Sequence, residues 1–198
     1  MTAQLEAKRL APIQMQQDLD GFVENISELA SRIKLDLSLA QADHIALRIN
    51  DAEIAAQAHQ AWSQYGQVIS QAKINGRPII VIEFDNPLMS HGWSIECLEL
   101  PYPALGKHYP TESWEHIEFV IPSQAETAEE YLQDLMGQFP LFAANFEQLS
   151  ALGVKVKLSS PKGEGERLNN PTVAFKYNGV CIKLHPHSLK DIVVSELA

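Results

Sequence analysis

The segments DHIALRI (43–49) and EHIEFVI (115–121) indicate the fold class, because one short pattern occurs twice in the chain. Each begins with an acid, a histidine and an isoleucine, and its apolar residues alternate as in a β-strand. A helical pattern follows both segments, over about 52–65 in the first case and up to about 137 in the second. This shared order predicts an internal repeat.

Three further strand-like runs follow each predicted helix and extend the repeat. They are QVISQAK (67–73), RPIIVIEF (77–84) and WSIECLEL (93–100) in the first half, and VKVKLSS (154–160), TVAFKY (172–177) and VCIKLH (180–185) in the second. The Asn-Gly pairs at 75–76 and 178–179 predict tight hairpin turns. We therefore predict an α+β protein with two βαβββ modules, residues 43–100 and 115–186, in one domain over 1–198.

Helical patterns account for most of the remaining chain. Apolar residues at helical spacing predict an amphipathic helix over 15–33, which makes an extra N-terminal helix within residues 1–36. Ser123 and Glu126 have the spacing of a capping box and predict where the second module's helix begins. A further helical segment over 141–151 accounts for the greater length of the second module.

Composition and charge limit the classes of function. Of the 198 residues, 45% are apolar and 20% charged, which predicts a globular protein with a substantial core. The net charge of −10 disfavours a nucleic-acid partner, because such a surface repels phosphates. No apolar run is long enough for a signal peptide or a membrane span, so we expect no membrane association. Both cysteines lie in strand-like segments, and without an export signal we expect buried, reduced thiols and a cytoplasmic location.

Strand alternation assigns the polar side chains to one face of the predicted sheet, because every second residue of a strand points the same way. The opposite, apolar face packs under the helices. The polar face is predicted to carry His44 and Arg48 on the first strand, Glu99 on the fourth, His116 and Glu118 on the fifth, and Lys183 and His185 on the eighth.

Four of these side chains, His44, Glu99, His116 and His185, predict a metal site. Imidazole and carboxylate groups suit Zn, Fe, Mn, Ni or Co, and an open site leaves coordination positions for a substrate. A single strand histidine is more often a structural residue, so the prediction depends on the equivalent places of His44 and His116 in the repeat. The alternative is an ordinary α+β domain in which the two acid–His–Ile segments coincide by chance.

Arg48 and the loop over 161–171 are candidate ligand-binding features. The guanidinium of Arg48 suits a carboxylate or phosphate of a substrate, and a salt bridge to Glu118 or Glu99 fits its place equally well. The loop contains two glycines, which permit it to close over the site, and a solvated hairpin loop is the simpler interpretation.

The chain resembles the YecM family over nearly its whole length. The resemblance is carried by DHIALR, INGRPI, ELPYP, WEHIEFV, SSPKGEGERLNNPT and IKLHPHSL, which occur in this order. That family lies in the vicinal oxygen chelate superfamily, with glyoxalase I, fosfomycin-resistance proteins and extradiol dioxygenases. The resemblance implies paired βαβββ modules that form a cupped mixed sheet, with metal ligands on the first and fourth strands of each module.

Carried onto this sequence, the resemblance implies ligands at His44, Glu99, His116 and His185. The superfamily more often has glutamate at the last of these positions, so His185 is a departure. Glu118 and Lys183 are nearby alternatives. The resemblance provides a site and leaves the reaction open.

Two main classes of function fit these features. In the first, a divalent metal chelates neighbouring oxygens of a small metabolite, with Glu118 or Glu99 as general base; isomerase, lyase, hydrolase and dioxygenase chemistry all remain open. In the second, the protein binds a small-molecule ligand in the same cup without a metal. A protein-interaction module is a third alternative. Both modules lie in one chain, so a monomer can form a complete cup, and a homodimer is also compatible.

Overall fold

One mixed β-sheet organises the chain, and its strands come from both halves of the sequence. The computed structural model describes residues 2–74, 76–160 and 168–197. The strands are β1 (Gln41–Arg48), β2 (Gly66–Ser70), β3 (Lys73–Ile74), β4 (Arg77–Ser90), β5 (Trp93–Pro101), β6 (Ser113–Val120), β7 (Lys155–Ser159), β8 (Thr172–Tyr177) and β9 (Val180–His185). The helices are α1 (Thr2–Ala7), α2 (Pro12–Gln17), α3 (Leu19–Arg32), α4 (Ala52–Trp62), α5 (Ala128–Gln138), α6 (Pro140–Asn145) and α7 (Leu189–Leu197), with a 3₁₀ turn at Phe146–Gln148.

The order of the strands pairs the two modules at the centre of the sheet. It runs β2-β4-β5-β1-β6-β9-β8-β7, with β3 paired to β4. β1 and β6 are antiparallel neighbours, and each also pairs in parallel with the last strand of its own module, β5 or β9. The predicted fold class and the pairing of two βαβββ modules are therefore confirmed.

The apolar face of the central strands packs into one core with the helices. Ile45, Leu47, Ile117 and Phe119 are fully buried in this core. The apolar sides of α3, α4 and α5 pack against them, because these helices carry buried residues at helical spacing. None of the helices in the described residues has the length and apolar composition of a membrane span. The polar face of the same strands is thereby turned away from the helical layer.

The helical ends of the chain differ from the prediction. The single helix predicted over 15–33 is divided into α2 and α3 at Asp18, whose ψ is −3°, and α1 precedes them. The C-terminal helix α7 was not predicted. Its start is marked in the sequence, since the Ser188 hydroxyl accepts from the Asp191 N–H and the Asp191 carboxylate accepts from the Ser188 N–H.

The predicted helix cap at Ser123 was wrong, whereas the predicted turn at 178–179 is confirmed. The capping box of α5 is formed by Thr127 and Glu130, so the prediction at Ser123 was wrong. The Ser123 hydroxyl instead accepts from the Ala125 N–H, which closes a local turn before the helix begins. The turn predicted at 178–179 is confirmed, because both residues have positive φ, 46° and 83°. In the turn predicted at 75–76, Asn75 lies outside the described residues.

Candidate metal centre

Two β-bulges turn an acid toward the same side as the histidine that follows it. The register between β1 and β6 shifts between Ala42 and His44 on β1, which makes Asp43 the extra residue. The second shift, between Ala46 and Leu47 of β1, makes Glu115 the extra residue on β6. A bulge interrupts the alternation of a strand, so adjacent residues can share one side. The two modules place their bulges at equivalent points.

Each bulged carboxylate contacts Nδ1 of its neighbouring histidine. Nδ1 of His44 lies 2.9 Å from Oδ2 of Asp43, and Nδ1 of His116 lies 3.2 Å from Oε2 of Glu115. A carboxylate accepts the Nδ1–H, which fixes the ring orientation and leaves Nε2 as the atom available to a ligand. Both imidazole rings are thus oriented with Nε2 toward the cluster.

The strand register brings four donor side chains together at the centre of the polar face. They are His44, Glu99, His116 and Glu118, and one donor atom of each lies within 4.8 Å of the others. Nε2 of His44 is 3.4 Å from Oε2 of Glu99 and 3.3 Å from Oε1 of Glu118. Nε2 of His116 is 3.1 Å from that same Oε1 atom.

Lys183 is in direct contact with this cluster. Its Nζ lies 2.6 Å from Oε1 of Glu118 and 3.0 Å from Nε2 of His116. Lys183 on β9 pairs with Glu118, which lies two residues after His116 on β6. In the same way, Glu99 on β5 pairs with Ala46, which lies two residues after His44 on β1. Lys183 is therefore the second module's counterpart of Glu99, and an ammonium stands where the repeat would place a second carboxylate.

His185 lies beside the cluster and belongs to a second group with Asp43 and His44. Its Nε2 is 3.3 Å from Oδ2 of Asp43, and its Nδ1 is 3.4 Å from Oε2 of Glu118. The side-chain amide of Asn170 lies 3.1 Å from that Nδ1 atom. Of the four ligands expected from the sequence, three meet at the donor cluster, and Glu118 takes the fourth place there.

The charges of the cluster stabilise one another. Burial opposes the charge on His44, but Glu118, Asp43 and Glu99 outweigh burial and raise the pKa of His44 well above its ordinary value. Burial likewise disfavours the charge of Glu99, yet His44, Lys183 and His116 lower its pKa to about 2. Burial also opposes the charge on Glu118, but nearby positive groups, above all Lys183, lower the pKa of Glu118 well below its ordinary value. Both carboxylates are therefore ionised near neutral pH.

The donor set fits a divalent cation. Nε2 of His44 is buried and has no hydrogen-bond partner among the described residues. The Lys183 ammonium already contacts donor atoms of His116 and Glu118, so these side chains are arranged around a positive charge. Two imidazoles and two carboxylates form a ligand set that suits Zn, Fe, Mn, Ni and Co. Glu99 and Lys183 open the cluster to solvent, with 16% and 27% of their side chains exposed.

Arg48 and the two cysteines are not part of the donor cluster. Arg48 forms an ion pair with Glu115, and its guanidinium lies 4.1 Å from the centre of the Tyr109 ring. Neither Glu118 nor Glu99 is its partner. Cys97 and Cys181 are free and buried, and burial raises the pKa of each thiol to about 12, as expected of unreactive thiols. Of the loop over 161–171, for which closure over the site and a solvated hairpin were both considered, residues 161–167 lie outside the described residues.

Sequence reasoning missed Asp43, Glu115 and Asn170. Strict alternation placed both acids on the apolar face, and only the bulges reverse this. The repeated acid before each histidine was the available signal, since a carboxylate next to a metal-binding histidine is a common supporting partner. No pattern in the sequence connects Asn170 with His185, because the two residues are 15 positions apart and meet only in the folded chain.

Comparison with known proteins gives consistent matches over nearly the full length. The family model described as YecM protein matches residues 12–196. The chain is 40% identical to protein YecM of Escherichia coli strain K12 over 179 residues, 90% of each chain. It is 34% identical to a solved structure described as structural genomics protein EC4020, with a TM-score of 0.76, covering 95% of this chain and 93% of that one. Methylmalonyl-CoA epimerase from Mycobacterium tuberculosis is a weaker structural match, with 15% identity, a TM-score of 0.40, and coverage of 78% and 93%.

Proposed function

The chain belongs to the YecM family, and we propose that it is a divalent-metal-binding enzyme that acts on a small oxygen-chelating metabolite. The observation that carries this proposal is the group of four donor side chains whose donor atoms lie within 4.8 Å of one another. One of these side chains is His44, whose buried Nε2 has no hydrogen-bond partner among the described residues. His44, Glu99 and His116 would hold the ion, with Glu118 as the fourth donor. A bound divalent ion supplies Lewis acidity toward neighbouring substrate oxygens.

The chain's own residues have distinct parts in this proposal. Asp43 and Glu115 hold the Nδ1–H atoms of the two histidines, so that both Nε2 atoms face the cluster. Glu118 is a weak base, because its pKa is lowered well below its ordinary value, and this favours a donor role over the general-base role expected from the sequence. Lys183 keeps its charge and would stabilise negative charge that develops on a substrate oxygen.

Lys183 also favours a second candidate, a small-molecule binding protein without an essential metal. Its ammonium already neutralises the Glu118 carboxylate and donates a hydrogen bond to Nε2 of His116. In this case the cluster is a buried charge network, and an anionic ligand contacts Lys183 directly. The two candidates differ in whether the purified protein retains a metal.

Elemental analysis of protein purified without a metal-affinity tag distinguishes them. We expect about one divalent ion per chain in the wild type and its loss in His44→Ala and His116→Ala. His108→Ala is the matched control, because this histidine is exposed and lies outside the cluster. Wild-type protein that stays metal-free after incubation with Zn, Mn, Fe(II) and Ni would rule out the enzyme proposal and leave the second candidate.

A further inference from the structure

The two halves of the polar face carry opposite charges at equivalent positions. Cys97 and Cys181 are paired with His44 and His116, so they mark the same place in each module. On the next strand outward, Glu83 pairs with Cys97, whereas Lys176 pairs with Cys181. The same reversal occurs between Glu99 and Lys183. The half formed by module one is therefore acidic, and the half formed by module two is basic.

Helix α7 neutralises part of the acidic half. Nζ of Lys190 lies 2.5 Å from Oε1 of Glu83 and 2.7 Å from Oε2 of Glu96. The first N–H of the helix, at Leu189, donates to Oδ2 of Asp43 at 2.8 Å. The chain thus supplies its own cation to module one's carboxylates and anchors the helix beside the donor cluster.

In the basic half only Lys183, which contacts Glu118, has an ion-pair partner among the described residues. Lys155 on β7 is directly opposite Lys176 on β8. Ala174 on β8 pairs with Lys157 on one side and with Lys183 on the other, so these two lysines lie in one row across the sheet. Lys155, Lys157 and Lys176 are exposed, and none forms an ion pair within the part of the chain that the structure describes. Like charges that face each other across two strands destabilise a sheet. Their presence in a protein of net charge −10 calls for a separate explanation.

We propose that Lys155, Lys157, Lys176 and Lys183, here called the lysine surface, bind the anionic part of the ligand, a phosphate or a polycarboxylate. Strands lie about 4.8 Å apart, so β8 is roughly 10 Å from β6, a distance that one small metabolite and the lysine side chains can bridge. The oxygen-chelating end of the ligand reaches the donor cluster, and this part of the inference rests on the proposed function.

Protection of a sheet edge is the competing explanation, since exposed lysines on edge strands prevent aggregation. It accounts for Lys155 and Lys157 on β7, which is the last strand of the sheet. It does not account for Lys176, because β8 is paired on both sides. Nor does it explain why the lysines continue inward to Lys183 at the donor cluster.

Titration calorimetry with tripolyphosphate tests the lysine surface in metal-free protein at low ionic strength. Wild type should bind, and Lys155→Gln/Lys176→Gln should bind at least about tenfold more weakly, because charge-assisted hydrogen bonds are lost. Lys34→Gln/Lys73→Gln is the charge-matched control, since both lysines are exposed and distant in sequence from the surface. Lys157→Gln alone keeps the inference testable if the double variant does not fold.

The outcomes separate this inference from the proposed function. Equal binding of tripolyphosphate by the lysine-surface variants and the control variant, or none by the wild type, would overturn the inference whether or not the protein binds metal. Binding lost only in the lysine-surface variants supports it, even if elemental analysis finds no metal and the enzyme proposal fails. Added salt should weaken the wild-type interaction, because exposed charges are screened.

Discussion

Nζ of Lys183 lies 2.6 Å from Oε1 of Glu118, so an ammonium is bonded to a proposed metal donor. Burial opposes the charge on Lys183, but Glu118 and Glu99 outweigh burial and raise its pKa above the ordinary value. The ammonium therefore stays charged over the physiological range. Lys183 and a divalent ion would compete for the same carboxylate oxygen.

Lys183→Met should tighten metal binding and destabilise the metal-free protein. Removal of the competing ammonium should raise the affinity for Mn or Zn by roughly tenfold, since a charge-assisted hydrogen bond is worth about 1.5–3 kcal/mol. The metal-free variant should lose about 2–3 kcal/mol of its free energy of unfolding, because Glu118 is left buried beside Glu99 without its counter-charge. Competition with a chromophoric chelator and urea unfolding measure the two effects.

Lys190→Met is the matched control for that experiment, because Lys190 contacts Glu83 and Glu96 instead of the donor cluster. It should leave metal affinity within about twofold of the wild type. If Lys183→Met binds metal more weakly than the wild type, Lys183 supports the ion and does not compete with it.

Asp43→Asn and Glu115→Gln should weaken metal binding without abolishing it. The amide oxygen can still accept the Nδ1–H, but the negative charge that supports the imidazole is lost. Loss of such a supporting carboxylate typically lowers metal affinity by about 10–100-fold. The dissociation constants are compared with that of Glu28→Gln, an exposed residue on α3. Unchanged affinity in both bulge variants would show that these acids only stabilise the fold.

The stability of the metal-free protein should be highest between about pH 5 and 6.5. The pKa of His44 is raised, so its stabilising contribution is complete below its ordinary value of about 6.5 and is lost as the pH rises through the higher folded value. The pKa of Glu99 is lowered to about 2, so its contribution is present above about 4.5 and is lost as the pH falls.

Urea unfolding at pH 3, 6 and 9 checks this profile. The free energy of unfolding should be lower at pH 3 and at pH 9 than at pH 6. In His44→Ala the decline from pH 6 to pH 9 should be smaller, since the group with the raised pKa is absent. A wild-type protein that becomes more stable from pH 6 to pH 9 would contradict the charge state assigned to His44.

Gly66→Ala should destabilise the protein, whereas Gly21→Ala should not. A Cβ atom at Gly66 would lie 2.0 Å from the backbone oxygen of Glu83 on the paired strand, so β2 must move away from β4. We expect a loss of about 1–3 kcal/mol in the free energy of unfolding. Gly21 lies in α3 with no atom near its added Cβ, and alanine there should stabilise by about 0.5–1 kcal/mol. Urea unfolding of both variants measures the contrast.

The repeat, the fold class and three donors of the cluster could be predicted from the amino-acid sequence. DHI and EHI begin equivalent strands, and alternation is sufficient to aim His44, His116 and Glu99 at one face, because the side-chain period of a strand is fixed at two. The burial of the two cysteines followed from the same strand patterns.

The surroundings of those donors depend on how the strands pair and could not be predicted. Whether a strand contains a bulge depends on how it pairs with its neighbour, so Asp43 and Glu115 could not be assigned from alternation. The register between β6 and β9 places Lys183, and not His185, opposite Glu118. The register between β7 and β8 brings lysines that are distant in sequence into one surface. Local periodicity fixes the face on which a side chain lies, whereas contacts across strands depend on registers set by the packing of the whole sheet.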